Sequence, residues 1–352
     1  MLRSLLLSCS LLVLTGCSAR EVGNQASAAN QRAVAAGRVP LTLAGSVDFP
    51  DFTDDFDHFA IDQTDGNLFL AGEGGAELDV LDLASGRIKE RMKGFGAPHS
   101  LLYLPRSNEL LVVDGEKPSA VLDAKSLQIK RRYPLPKGAD SIGWDGGTGH
   151  VWIVAGSLGT SPAGSNLLEL DPSTGKIIKS VNLEADYAEA VAVEQSGPHV
   201  FVNATARNSL DTIDKEKGAI VRRIAIVGAA QNSPLAFDER NRRLFVVTRK
   251  PGKLIVIDSL TGRVIASMKA PGHADQAIWD PETSRIYVTG ADGYISVVHQ
   301  DDPDHYREIG HVMSAPGAKT AILDPVRKRL WVAVSPGQSK AMAKVLWYDV
   351  KA

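Results

Sequence analysis

The sequence predicts an all-β fold, a seven-bladed β-propeller of four-stranded antiparallel blades, and three repeating features support this prediction. An aspartate that ends a short apolar run recurs seven times, at intervals of 41 to 48 residues, which is the period of a four-stranded blade. A strand rich in β-branched and aromatic residues precedes each of these aspartates, and a shorter apolar strand comes before it. Each repeat except the last therefore reads as strands a, b, c and d in chain order.

The recurring aspartate marks the turn between strands c and d. The clearest copy is Asp258–Arg263 (DSLTGR), where the aspartate can accept backbone hydrogen bonds and the glycine can adopt a positive φ. A phosphate-binding loop would need GxxxxGK[ST] between a strand and a helix, and that string is missing from the sequence. The remaining copies lie at Asp82, Asp123, Asp171, Asp214, Gln300-Asp301 and Asp349.

Strand b carries a large side chain at one equivalent position in every repeat. We predict that these side chains pack between adjacent blades, since buried aromatic residues usually serve protein cores; a ligand cage is the alternative. The residues are Phe69, Leu111, Trp152, Phe201, Phe245, Tyr287 and Trp331.

The last repeat ends after strand c, at Tyr348–Ala352, and so lacks its fourth strand. An open sheet edge is a liability that propellers avoid by closing the ring. The apolar segment Leu41–Val47 precedes the first strand a, and we expect it to supply the missing strand.

The string Tyr287-Val288-Thr289-Gly290 in repeat six resembles the YVTN-type repeat, with glycine in place of asparagine, and repeat five has a similar pattern. The resemblance covers residues 41–352 and implies a seven-bladed propeller similar to YncE-like periplasmic proteins. It implies no fixed catalytic motif, because such proteins share blades rather than an active site.

The first 16 residues have a basic residue, an apolar run and then small residues, which is typical of a secretory signal. Leu14–Cys17 (LTGC) resembles the lipobox of bacterial lipoproteins, which implies that Cys17 becomes a lipidated first residue. Ser18, by the same resemblance, favours the outer membrane. An ordinary signal peptide cut nearby is the alternative. Residues 17–40 are polar and lack an apolar period, so we predict a flexible tether between a periplasmic propeller (41–352) and the membrane.

Composition limits the partners further. Cys9 and Cys17 are the only cysteines, so removal of residues 1–16 would leave no pair for a disulfide. The formal net charge of −2 gives no support to nucleic-acid binding. We expect a monomer whose partners are the membrane, through its lipid anchor, and a small polar ligand or an envelope protein.

Polar residues cluster just before strand a in most repeats, on the face opposite the c–d turns, where propellers usually bind. Because the a strands surround the central channel, these residues should converge at its mouth, and Tyr187 should lie near them. The candidate ligand-binding residues are Asp57, His58, His99, Asp140, Glu189, His273, Asp275 and Lys319.

The sequence predicts a non-enzymatic binding protein for a cation, a small polar molecule or a protein partner at this loop-rich face. Three alternatives stay open: a mouth that is merely hydrated, a scaffold without a small ligand, and a metal-dependent hydrolase or lactonase that uses His58, His99, Asp140, Glu189 and Asp275. The sequence contains no CxxCH haem motif and no GxSxG nucleophile elbow. No cofactor is therefore predicted, although two histidines among carboxylates are compatible with a metal ion at the mouth.

Overall fold

A computed structural model describes residues 39–156, 164–337 and 341–351. The compact unit that holds the blades is Pro40–Ala352. The predicted signal peptide (1–16), Cys17 and nearly all of the predicted tether (17–40) lie outside the described residues. No helix within the described ranges has both the length and the apolar character needed to cross a bilayer.

The described residues form seven antiparallel four-stranded sheets, which are the blades of a β-propeller. In six blades the strands pair in chain order, as the repeat pattern predicts. The strands are β2 Phe59–Asp62, β3 Asn67–Gly72, β4 Glu77–Asp82 and β5 Ile88–Lys93 in blade 1; β6 Pro98–Leu104, β7 Glu109–Asp114, β8 Ser119–Asp123 and β9 Ile129–Tyr133 in blade 2; β10 Ile142–Asp145, β11 His150–Ala155, β12 Asn166–Asp171 and β13 Lys176–Asn182 in blade 3; β14 Val191–Val193, β15 His199–Ala204, β16 Ser209–Asp214 and β17 Ala219–Ala225 in blade 4; β18 Ala230–Asp238, β19 Arg243–Lys250, β20 Gly252–Asp258 and β21 Val264–Lys269 in blade 5; β22 Ala274–Asp280, β23 Arg285–Gly290, β24 Tyr294–Asp302 and β25 His305–Met313 in blade 6; and β1 Leu41–Phe49, β26 Ala318–Asp324, β27 Arg329–Val334 and β28 Ala343–Val350 in blade 7.

Blade 7 closes the ring with strands from both ends of the compact unit. Its order is β1-β28-β27-β26, and β1 pairs antiparallel with β28 from Leu41↔Val350 to Phe49↔Ala343. The predicted closing strand is confirmed and runs two residues further than expected. Phe49 is fully buried there, in a cluster shared by blades 7 and 1.

The c–d turns have the predicted chemistry. The Asp258 carboxylate accepts hydrogen bonds from the amide of Thr261 at 2.8 Å and from its hydroxyl at 2.9 Å. Gly262 adopts a φ of +77°, a left-handed conformation that favours glycine. The DSLTGR segment is thus a hairpin turn and not a phosphate site.

The expected turn at Gln300-Asp301 in repeat six is wrong. In blade 5, the turn aspartate Asp258 pairs with Arg243, the first residue of strand b. The equivalent residue in blade 6, which pairs with Arg285, is His299 and not an aspartate. Strands β24 and β25 continue past that point through register shifts, and the chain turns between Asp302 and His305. Because the hairpin is longer here, the aspartate lies further along the chain than the repeat predicts.

The large side chains of strand b are buried between blades, as expected. Phe69 of blade 1 packs with Leu101 and Val112 of blade 2, and Trp331 of blade 7 packs with Phe59 and Leu68 of blade 1. Each blade therefore buries an apolar face against the next one, and this packing holds the a strands around a common channel.

Replacing Trp331 by alanine should lower the free energy of unfolding by about 3–5 kcal/mol, because it empties a filled site between two blades. Trp144 is 37% exposed, so Trp144→Ala is a control of the same chemistry and should cost less than about 1 kcal/mol. Urea unfolding followed by circular dichroism measures both effects. An equal decrease in the free energy of unfolding in the two variants would contradict the assigned packing of Trp331 between blades.

Candidate functional site

One register position of strand a brings a side chain from every blade to the mouth of the central channel. In each blade, one residue of strand a pairs with the fourth residue of strand b, and the mouth position lies two residues before that strand a residue. In blade 1, for example, Phe59 pairs with Leu70, and the mouth position is Asp57. Six of the seven residues found there are ionisable. We call this set the mouth ring; it consists of Asp57, His99, Asp140, Glu189, Ser233, Asp275 and Lys319.

Two histidines share the carboxylate of Asp57 on one side of the mouth. His99 Nδ1 lies 2.7 Å from Asp57 Oδ2, and His58 Nε2 lies 3.4 Å from Asp57 Oδ1. The other ring nitrogen of His58 lies 3.1 Å from Gln276 Oε1 of blade 6. His99 Nδ1 is also 4.0 Å from Glu73. These contacts connect blades 1, 2 and 6, so the side chains converge in the mouth.

Two cations share the carboxylates on the other side. Lys319 Nζ lies 2.8 Å from Asp275 and 2.9 Å from Asp55. The Arg249 guanidinium contacts Asp275 and lies 3.2 Å from Glu189. Within the described ranges, Asp275 therefore has two cationic partners, Lys319 and Arg249, whereas Glu189 has Arg249 alone.

Glu189 has neutral partners as well. Ser233 donates its hydroxyl hydrogen to Glu189 Oε2 at 2.8 Å, and the Tyr187 hydroxyl donates to Oε1. Tyr187, expected to lie near the mouth, thus contacts a member of the mouth ring directly.

Asp140 differs from the other acids of the mouth ring. Within the described residues it forms no ion pair, and its side chain has one hydrogen bond, a long one of 3.4 Å from the Ser141 hydroxyl. One carboxylate oxygen of Asp140, one of Asp57 and a ring nitrogen of His99 lie within 4.8 Å of one another. The mouth therefore contains a carboxylate group that has room for a cation.

The pKa values follow from this uneven distribution of partners. Burial alone would raise the pKa of Asp275, but Lys319 and Arg249 outweigh it and hold that pKa well below the usual range. Burial raises the pKa of Glu189 to about 8 against the opposing charge of Arg249. Burial also raises the pKa of Asp140, opposed by the charge of His99.

The basic and acidic groups around His99 shift each other. Burial alone would lower the pKa of His99, but the hydrogen bond to Asp57 and the charge of Asp140 raise that pKa to about 10. Burial, with the nearby charge of Asp57, raises the pKa of Glu73 to about 7. Among the described residues, the mouth thus holds six carboxyl groups and four basic groups. The acids are Asp55, Asp57, Glu73, Asp140, Glu189 and Asp275, and the bases are His58, His99, Arg249 and Lys319.

An apolar channel continues from the polar mouth. Its cavity measures about 720 Å³ and includes His58, Asp275 and Gln276 in its wall. Every a strand contributes an apolar residue to the same wall; these residues are Phe59, Leu101, Ile142, Val191, Leu235, Ala277 and Ala321. A ligand at the mouth would therefore meet charged groups at the rim and apolar side chains below.

Seven of the eight predicted site residues converge at the mouth; His273 does not join them. Its side chain is 64% exposed, and its described side-chain contact is with Asp292, at 3.5 Å. The sequence analysis missed Asp55, Glu73 and Arg249. Glu73 and Arg249 are each the seventh residue counted from the start of strand b, and the other blades have uncharged residues there, namely Gly115, Gly156, Thr205, Ala291 and Ser335. A comparison of this position across the repeats would have identified both.

Comparisons with known proteins agree with the fold. No protein-family model matches the chain, and no curated protein sequence matches it either. Among solved structures, a chain of the mitotic checkpoint complex is 13% identical, with a TM-score of 0.72, over 88% of this chain and 95% of that one. A chain of hydrazine synthase from Kuenenia stuttgartiensis is 14% identical, with a TM-score of 0.69, over 85% of this chain and 96% of that one. At identities this low the likeness shows the propeller fold alone.

The stability of the protein should fall as the pH rises from about 4.5 to about 8, in part because of Glu189. Its pKa is raised from 4.5 to about 8 in the folded state, so the folded protein holds a proton that the unfolded chain has released. Glu189→Gln should remove this contribution, which is at most about 1.4 kcal/mol per pH unit across that window. Urea unfolding at several pH values measures it.

Glu216→Gln, in the exposed c–d turn of the same blade, is the control and should keep the pH dependence of the wild type. A Glu189→Gln variant whose stability falls with pH as steeply as that of the wild type would contradict the assigned pKa.

Proposed function

We propose that this propeller is a non-enzymatic binding protein that holds a small cationic ligand at its channel mouth. The observation that supports this proposal is the composition of the mouth, where the described residues include six acidic groups and only four basic ones. Asp140 in particular has no ionic partner among the described residues. Partly buried carboxylates that lack a cation are costly, and a bound cation would offset that cost.

The shape of the site fits a small ligand. The mouth opens into a cavity of about 720 Å³, within the range of small-molecule sites. Lys319 and Arg249 are already paired with Asp55, Asp275 and Glu189, so they leave the Asp57 and Asp140 side of the mouth for the ligand.

A ligand panel tests this proposal. After treatment with a chelator, small primary amines and guanidines should raise the melting temperature, whereas small carboxylates should not. Asp140→Asn should weaken binding of the best cation about tenfold, or about 1.4 kcal/mol. Asp186→Asn removes an exposed aspartate three residues before Glu189 in the same loop, and should bind like the wild type.

Two results would contradict the proposal. One is binding of carboxylates in preference to cations. The other is turnover of a lactone panel that is lost in His58→Ala and His99→Ala, which would support the hydrolase alternative.

We also propose that the protein is a YVTN-type lipoprotein, anchored through Cys17 and located in the periplasm, at the outer membrane. The support is the lipobox-like sequence Leu14–Cys17, the tether after it and the Tyr287–Gly290 string. An envelope protein is then a possible second partner for the loop-rich face. Two or more acyl chains on one cysteine would anchor the protein stably, as a single chain does not.

Metabolic labelling with a fatty acid tests the anchor. The wild type should incorporate the label and sediment with membranes, whereas Cys17→Ser should lose both properties. Cys9→Ser, which changes the other cysteine inside the predicted signal peptide, is the control and should be labelled normally. Unlabelled wild-type protein in the soluble fraction would overturn the lipoprotein assignment.

A further inference from the structure

Three side chains of the mouth ring, from three consecutive blades, are spaced for one ion. Single ligand atoms of Asp57, His99 and Asp140 lie within 4.8 Å of one another. Metal–ligand bonds in proteins are about 2.0–2.4 Å long, so two ligands of the same ion are separated by at most about 4–4.8 Å. One ion can therefore contact all three residues.

The blades hold these residues in place. The backbone amides of Asp57 and Asp140 donate to Ala71 and Val154 at 2.8 and 2.9 Å, which fixes the starts of both strands. The Nε2 edge of the His99 imidazole packs against Gly115, where an added Cβ would lie 2.9 Å from Nε2. Glycine at position 115 thus makes room for the ring, whose Nδ1 faces Asp57.

The geometry points to a divalent transition-metal site: we propose that Asp57, His99 and Asp140 bind an ion such as Zn²⁺ or Mn²⁺, with Glu73 as a fourth ligand. This inference rests on the proposed function and names the cation as a metal ion. Glu73 lies 4.0 Å from His99 Nδ1, so its carboxylate reaches the same space.

The chemistry of the donors selects the class of metal. An imidazole nitrogen among carboxylate oxygens suits first-row transition ions, whereas Ca²⁺ and Mg²⁺ prefer sites made of oxygen alone. Asp140, which has no ionic partner among the described residues, supplies a carboxylate that is free to bind.

Neighbouring groups support the site without filling it. His58 lies 3.4 Å from Asp57 Oδ1 and 3.1 Å from Gln276, so it orients the Asp57 carboxylate while Oδ2 faces His99. Such outer contacts usually position metal ligands. The ammonium of Lys319 is held by Asp55 and Asp275 and forms no ion pair with Asp140. On metal binding, the ion would replace the proton between His99 Nδ1 and Asp57 Oδ2.

Isothermal titration of the full chain, freed of metal by a chelator, tests the site with ZnCl₂, MnCl₂ and CaCl₂. We expect one equivalent of Zn²⁺ or Mn²⁺ per chain and weaker binding of Ca²⁺. Asp140→Asn, His99→Gln and Glu73→Gln should each weaken binding of the better metal by about 10-fold or more. Circular dichroism and thermal unfolding confirm that each variant is folded, and Glu73→Gln, at a half-buried position, keeps the test decisive if another variant fails to fold.

The His305–Asp302 pair is the matched control. Its Nδ1–oxygen distance is 2.8 Å, similar to that of His99–Asp57, but both side chains are more than half exposed. His305→Gln should leave metal binding unchanged. Loss of binding in His305→Gln but not in Asp140→Asn, or no binding of either transition metal, would overturn the metal site.

The result also separates this inference from the proposed function. Binding of amines by the metal-free protein, sensitive to Asp140→Asn, together with failure to bind metals, would reject the metal site alone. Failure of both titrations would reject the two proposals together.

Discussion

The pairing of β1 with β28 closes the ring, and the channel mouth depends on it. This ladder joins the start of the compact unit to its end, from Leu41↔Val350 to Phe49↔Ala343. Trp347 packs so closely on Gly45 of β1 and Gly86 of blade 1 that an added Cβ would lie 2.2 and 2.6 Å away. Closure seats blade 7 against blade 1, which brings Lys319 near the acids of blades 1 and 6. Without this closure, the residues of the mouth ring would not converge.

The closed ring then imposes an electrostatic constraint. Seven equivalent positions meet at one mouth, and six of them carry ionisable groups, so neighbouring charges must compensate one another in a partly desolvated space. The compensation is uneven: Asp275 takes both Lys319 and Arg249, whereas Asp140 takes neither. Burial raises the pKa values of Glu189 and Asp140, whereas the hydrogen bond to Asp57 and the charge of Asp140 outweigh burial and raise the pKa of His99. A cationic ligand would complete the balance that the side chains leave incomplete.

The fold was predictable because each blade repeats local signals of strand and turn. Alternating apolar residues, the Asp–Gly turns and one large side chain per strand b recur at a fixed period, and together they fix strand order and register. Repeat six shows the limit of this reasoning, since His299 stands where other blades have the turn aspartate. Periodicity cannot position a turn once the strands extend through bulges.

The residues at the channel mouth were predictable only in part, because some of them are brought there by long side chains and not by the position of the backbone. Residues at the start of strand a converge because the backbone places them there, so Asp57, His99 and Asp140 could be found from the repeats. Arg249 enters from the end of strand b and reaches Glu189 through a long side chain; comparing that position across the repeats identifies the charged residue but not the partner that it contacts. His273 lies just before strand a but adopts a φ of +50° and contacts Asp292 instead.

The most direct test of the central claim, that the mouth holds a bound cation beside Asp140, is a crystal structure of the protein purified from its native cells without chelator. The account predicts density stronger than that of water within about 2.5 Å of an Asp140 carboxylate oxygen and in contact with Asp57 and His99, or else an ordered cationic group at hydrogen-bond distance. Density for water alone around Asp140, with the hydrogen bond between His99 and Asp57 intact, would contradict it.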